Sequence, residues 1–147
     1  MNTRPLIALL LATLIGYLHV SQAEAETAKE HPMNITVQID RQHFTLTLND
    51  SPAAHAFINR LPLTLDMAEL NGNEKYADLA EALPENPVRP GHLRAGDLML
   101  YGDKTLVLFY SRFDSGYRYT PLGRVDNPVG LAHAVGNQSV RIHFAVK

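Results

Sequence analysis

From Asn34 onward the apolar positions recur with a period of two. Ile35, Val37 and Ile39 alternate with Thr36, Gln38 and Asp40, and beyond a polar turn at Asp40-Arg41-Gln42 the residues Phe44, Leu46 and Leu48 alternate with Thr45, Thr47 and Asn49. Successive side chains of a strand point to opposite faces, so the pattern predicts a β-hairpin with one face in a core. Ser51 followed by Pro52 then predicts a helix start, because serine accepts from the free first-turn N–H groups and proline fits a first turn without donating. Ala53, Ala54, Ala56, Phe57 and Ile58 continue it as a short helix ending near Asn59-Arg60, and Pro62 stops it. Leu63, Leu65 and Met67 alternate with Thr64, Asp66 and Ala68, predicting a strand that runs to Leu70 before the turn Asn71-Gly72-Asn73.

The segment Pro84 to Pro90 holds three prolines and, with Gly91, predicts an extended loop without regular hydrogen bonding. Gly96 to Tyr110 then reads as two strands folded about Gly102-Asp103. The second, Thr105 to Tyr110, is apolar almost without interruption, which predicts a central strand buried on both faces. Tyr117, Tyr119, Leu122 and Val125 suggest a strand reached through a Ser115-Gly116 turn, and Pro128 to Val135 is helical in composition with a Gly136 stop. Val140, Ile142, Phe144 and Val146 alternate to the end. Seven or eight short strands with two short helices predict a mainly β fold, a closed barrel or a sandwich rather than a parallel α/β sheet.

The first thirty residues follow a different rule. Met1 to Arg4 is short and basic, Leu6 to Leu18 is almost wholly apolar, and Ser21-Gln22-Ala23 offers small residues where a signal peptidase cuts. That pattern predicts a signal peptide over 1–23, with Ala23-Glu24-Ala25 as an alternative cleavage site after Ala25. The apolar core is shorter than the roughly 20 residues that cross a bilayer, so the mature chain is expected to carry no membrane span; an uncleaved anchor is the alternative. Residues 24–32 read as a polar tether, and 33–147 as the folded domain. The expected localisation is periplasmic or secreted. The chain has no cysteine, which excludes both disulfides and a lipid anchor on cysteine.

Charge narrows the partners. Loss of the signal removes one of thirteen basic residues, Arg4, leaving twelve against fifteen acids and a net charge of −3. A mildly acidic domain without a basic stripe matches nucleic acid poorly, because phosphate binding needs clustered cations.

Several segments, taken in order, resemble a known family. Leu65-Asp66-Met67-Ala68-Glu69-Leu70-Asn71-Gly72-Asn73-Glu74-Lys75-Tyr76 is followed by Pro90-Gly91, by Ala95-Gly96-Asp97-Leu98-Met99-Leu100-Tyr101-Gly102, by Leu106-Val107-Leu108-Phe109-Tyr110 and by Gly123-Arg124-Val125-Asp126-Asn127-Pro128. Together they resemble the bacterial cyclophilin-like domain proteins over roughly Met33 to Lys147. The resemblance implies a small closed cyclophilin-like β-barrel capped by two short helices. It does not transfer prolyl isomerase activity, since a fold does not fix a function. Cyclophilin sites carry an Arg followed by Phe-Met-x-Gln and Gly-Gly-Asp; here Arg94 precedes Ala95-Gly96-Asp97, the Phe-Met-x-Gln signature is missing, and there is no tryptophan. No catalytic residue is assigned on this basis.

The remaining chemistry lies in two places. Asn71-Gly72-Asn73-Glu74-Lys75-Tyr76 places amides, an acid, a base and a phenol after a strand, where a scaffold often holds a ligand loop; the alternative is a turn with a solvated Glu-Lys pair. Tyr101, Phe109, Tyr110, Tyr117 and Tyr119 either line an aromatic cleft or fill the core with hydroxyls at its rim. His31, His43, His55, His92, His133 and His143 lack the spacing of a zinc site, and no Gly-x-Ser-x-Gly elbow or glycine-rich phosphate cradle occurs. Asp97 is expected to accept backbone hydrogen bonds rather than act as a base. The candidate ligand-binding residues are therefore Asn71, Asn73, Glu74, Tyr76, Tyr101 and Tyr110. The expected partner is a small molecule or peptide, with no cofactor, no metal and no nucleic acid. The alternatives are a divergent prolyl isomerase and a structural or protein-interaction domain.

Overall fold

The computed structural model describes residues 33–147; the signal and tether read from the sequence lie outside the described residues. β1 (Met33–Ile39) and β2 (Gln42–Leu48) form the first hairpin, closed by Asp40-Arg41 with Asp40 at φ +49°. α1 (Pro52–Ile58) follows, its Ser51 side chain accepting from the Ala54 N–H at 3.2 Å. Then come β3 (Leu63–Leu70), β4 (Glu74–Asp78), β5 (Gly91–Leu93), β6 (Asp97–Tyr101), β7 (Thr105–Phe109), β8 (Phe113–Ser115) and β9 (Thr120–Val125). α2 (Leu131–Val135) and β10 (Val140–Val146) complete the chain.

Eight of these strands close into an antiparallel barrel in the order β1-β10-β3-β4-β7-β6-β9-β2. An eight-stranded barrel has an interior just wide enough for side chains to fill. Here Ile35, Val37, Leu46, Leu98, Leu100, Leu106, Leu108, Ile142 and Phe144 fill it, each shielded from solvent. Burial of each such side chain contributes roughly 1.5–3 kcal/mol. The lumen is thus occupied by a core of apolar side chains. α1 and α2 lie at opposite mouths, because α1 joins the end of β2 to the start of β3 and α2 joins the end of β9 to the start of β10. Phe57 of α1 meets Phe144 edge-on at 5.8 Å, and Leu131 and Val135 of α2 join the same core.

A second, smaller core lies outside the barrel. The alternation of β6 and β7 sends Leu98, Leu100, Leu106 and Leu108 inward and Met99, Val107 and Phe109 outward, where Leu93, Tyr119 and Phe113 cover them. β7 therefore occupies the central, doubly buried position read from its continuous apolar run. The cover is the two-stranded sheet β5-β8, which the sequence reading missed because three-residue strands show no measurable alternation. Two further corrections belong here. The strand expected to include Tyr117 and Tyr119 begins only at Thr120, Tyr119 being held by an isolated bridge to Val88. The proline-rich segment is extended as expected but well bonded: Val88 and Tyr119 exchange backbone bonds of 2.8 and 2.9 Å, and the Arg118 and Arg89 guanidiniums donate to the Pro87 and Gly116 carbonyls.

Two glycines allow these elements to approach. A Cβ on Gly123 would collide with the Thr47 carbonyl and lie 2.8 Å from the Leu48 Cα, so only glycine permits the β2–β9 contact that closes the barrel. Gly96 sits at φ +93° while its N–H donates to the Phe109 carbonyl and its own carbonyl accepts from Val125. Next to it, Asp97 accepts from the Arg94 N–H at 2.8 Å and from the Arg124 Nε, which is the structural role read from the sequence. No described helix is long and apolar enough to cross a membrane.

Candidate functional site

The segment Asn71 to Tyr76 is not one loop. Asn71 (φ +56°), Gly72 and Asn73 make the turn, and Glu74, Lys75 and Tyr76 are already in β4, paired on both sides with β3 and β7. Strand geometry then splits them: Lys75 faces the α2 mouth of the barrel, whereas Glu74, Tyr76 and Asp78 face outward. Glu74 and Lys75 do not form the solvated pair that a surface turn would give. Lys75 is completely buried and Glu74 is 7% exposed.

On the inward side, Lys75 Nζ donates to Glu69 Oε1 (3.0 Å) and to the Gly136 and Gln138 carbonyls (2.9 and 2.6 Å), tying the end of α2 to β3 and β4. The ammonium also lies 5.2 Å from the Tyr110 ring centroid. Glu69 in turn accepts from the Tyr110 hydroxyl and from the Gly72 N–H. Burial raises the Glu69 carboxyl, but hydrogen bonds from Tyr110, Lys75 and Gly72 outweigh it and hold the group below its ordinary range. Tyr110 is pushed up to about 12 by burial, by its bond to Glu69 and by the charges of Glu69 and Glu74. Every charge in this cluster has a partner.

On the outward side, Glu74, Tyr76 and Asp78 form one wall of a cleft of about 460 Å³, with Tyr101, Tyr117 and Tyr119 opposite and Val107 in its floor. Tyr101 meets Tyr117 at 6.0 Å and 81°, and Tyr119 at 5.7 Å and 55°. Tyr119 rests edge-on against Phe109, so the aromatic wall is anchored in the outer core. The Asp78 carboxylate accepts from the Thr105 hydroxyl at 2.7 Å. Glu74, by contrast, has no side-chain hydrogen bond or ion pair among the described residues, and its carboxyl oxygens keep a remnant of contact with solvent in the cleft. Burial, reinforced by the Glu69 charge, raises its carboxyl above the ordinary carboxylate range. Burial likewise raises the Tyr119 phenol.

Of the six candidate residues, Glu74, Tyr76 and Tyr101 come together in this cleft. Asn71 is an exposed turn residue; Asn73 is buried in the turn, accepting from the Tyr110 N–H with its carbonyl and leaving its Oδ1 unpartnered; Tyr110 belongs to the Glu69 cluster. The cleft adds Asp78 and Leu70, which sequence reasoning passed over. The alternation Glu74, Tyr76, Asp78 would have found the aspartate had the segment been read as a strand. Tyr117 and Tyr119, weighed above as cleft or core, line the cleft. Arg94 is exposed and lies outside it, so the isomerase alternative gains no arginine there. A second hollow of about 420 Å³ is lined by Thr47, Asp97, Arg124 and Asp126, whose polar groups already bond one another.

A filled antiparallel barrel of eight strands, with two capping helices and its main aromatic cleft on the outer face, defines the class of protein. The chain belongs to the Cyclophilin-like family, whose model matches residues 37–146. No curated protein matches it.

Proposed function

We propose that the protein is an exported binding domain that holds a small molecule or peptide in the outer cleft between β4 and the Tyr101, Tyr117 and Tyr119 wall. One observation carries the reading: apolar surface, tyrosines and an unpartnered carboxylate converge on a single concavity of ligand size while the lumen is full. Exposure of apolar groups supports it. Among the described residues six large hydrophobics are exposed, and three of them, Leu70, Tyr101 and Tyr117, line this cleft.

A thermal-shift and calorimetric screen of small molecules and short peptides tests the proposal. Hits are expected to lose affinity in Tyr101→Ala; hits that bind this variant as tightly as wild type would remove the cleft as the site. Export rests on the basic, apolar and small-residue order of 1–23. Fractionation with N-terminal sequencing is expected to give a mature chain outside the cytoplasm beginning at Glu24 or Glu26. A full-length chain retained in the cytoplasm would refute it.

A further inference from the structure

The cleft has a charge and a surface that together select a ligand class. No lysine, arginine or histidine lines it, whereas two carboxylates and four tyrosines do. Glu74 is the more telling of the acids. More than nine-tenths of the residue is buried, it lines the cavity, and its side chain has no hydrogen-bond or ion-pair partner among the described residues. A carboxylate largely withdrawn from water without a partner is costly, so such groups are normally paired. The adjacent cation does not serve, because Lys75 is on the opposite face of β4 and committed to Glu69 and two carbonyls. Any partner other than the water of the cleft must come from outside the chain.

The aromatic wall suits the same visitor. Tyrosine rings present a negative face that attracts cations, and rings set at an angle form the sides of a cage rather than a stack. Tyr101 stands at 81° to Tyr117 and 55° to Tyr119. Asp78 lies four residues beyond Glu74 on the same strand face, roughly 13 Å away at 3.3 Å per residue, at the exposed end of the wall. It stands level with Tyr101, since both pair with Thr105 of β7, whereas Glu74 pairs with Phe109, the residue on which Tyr119 rests.

Resting on the proposed ligand-binding reading, we infer that the juxtaposition of unpaired Glu74 with the Tyr76 and Tyr119 rings, in a cleft that Tyr101 and Tyr117 continue toward Asp78, makes this cleft a receptor for an organic cation, an alkyl or quaternary ammonium or a guanidinium. The cation sits against the rings and neutralises Glu74. Its source is a free amine-type metabolite or a lysine or arginine side chain of a peptide.

Four of the chain's six tyrosines line the cleft and there is no tryptophan, so tyrosine fluorescence reports occupancy directly. The full domain is titrated with choline and with its uncharged isostere 3,3-dimethylbutan-1-ol, and in a second arm with short Lys or Arg peptides against norleucine or citrulline counterparts. Each cation is expected to bind about tenfold or more tighter than its neutral match, and Glu74→Gln to erase most of that preference. Tyr76→Leu, half-buried beside Glu74 on the same face of β4, is expected to weaken cation binding about three- to tenfold and serves if Glu74→Gln does not fold. Preference for choline over the peptides identifies a free ligand, and the reverse a peptide. Neutral compounds binding as well as cations, or cations binding both variants unchanged, would overturn the inference while leaving a ligand site in place. Silence of every compound at millimolar concentration, in these titrations and in the wider screen, would overturn the ligand-binding reading with it.

Discussion

Glu69 and Glu74 lie on neighbouring strands only a turn apart, yet their surroundings shift their carboxyls in opposite directions. Glu69 receives three donors, from Tyr110, Lys75 and Gly72, and is held in its charged form. Glu74 receives none from its side-chain surroundings and is destabilised as an anion by burial and by Glu69 itself. The first arrangement is finished and belongs to folding. The second is left open within the chain, and on the proposed reading a ligand completes it.

The contrast predicts a graded set of effects. Lys75→Met is expected to cost the most, about 3 kcal/mol, because it strips a donor from Glu69 and from two carbonyls in a buried position. Denaturant unfolding measures it, and an unchanged midpoint would show that the inner cluster does not hold α2 to the barrel. Binding in the cleft by the folded variant should be unaltered. Tyr110→Phe removes one donor from Glu69 and is expected to cost about 1–2 kcal/mol, read the same way.

Acid should expose the two carboxylates in turn. The Glu69 contribution is fully present above the ordinary carboxyl value of 4.5 and is lost as pH falls through its depressed folded value. Glu74 has the reverse sign: its penalty is present at neutral pH and is relieved as pH falls through its raised value toward 4.5. Stability measured against pH for wild type and Glu74→Gln should therefore differ most at neutral pH, with the variant the more stable, and converge near 4.5. Parallel curves would mean that Glu74 pays no desolvation cost. The smallest effect is reserved for Tyr101→Leu, expected within about 0.5 kcal/mol of wild-type stability because the ring is half exposed. A larger loss would make the aromatic wall part of the fold rather than of the site.

Much of the barrel was legible in the chain. The alternations at Ile35–Leu48 and Val140–Val146, the Ser51-Pro52 helix start and the continuous Thr105–Tyr110 run each have one dominant cause, side-chain periodicity or a local cap, acting within a few residues. The mainly β, closed-barrel expectation rested on these and holds. What failed depended on distant partners. Lys75 looks like a surface residue because the carbonyls that satisfy it, Gly136 and Gln138, lie some sixty residues further on. β5 and β8 are defined only by each other across about twenty residues. The site was half visible for the same reason: Glu74, Tyr76 and Tyr101 stood out by type, but their grouping, and the exclusion of Tyr110, follow from which face of a strand each occupies.

Closure of the barrel has a bearing on how any peptide would be recognised. Each of its eight strands is bonded on both sides, so the barrel offers no free edge to which a guest chain could add as a further strand. The strands that carry Glu74, Tyr76, Asp78 and Tyr101 therefore offer a guest no main-chain pairing, only side chains and charge, and free strand edges near the cleft are confined to the short outer sheet β5-β8. Selectivity along these strands would evolve by exchanging a few outward residues of β4 and β6 without disturbing the inward ones.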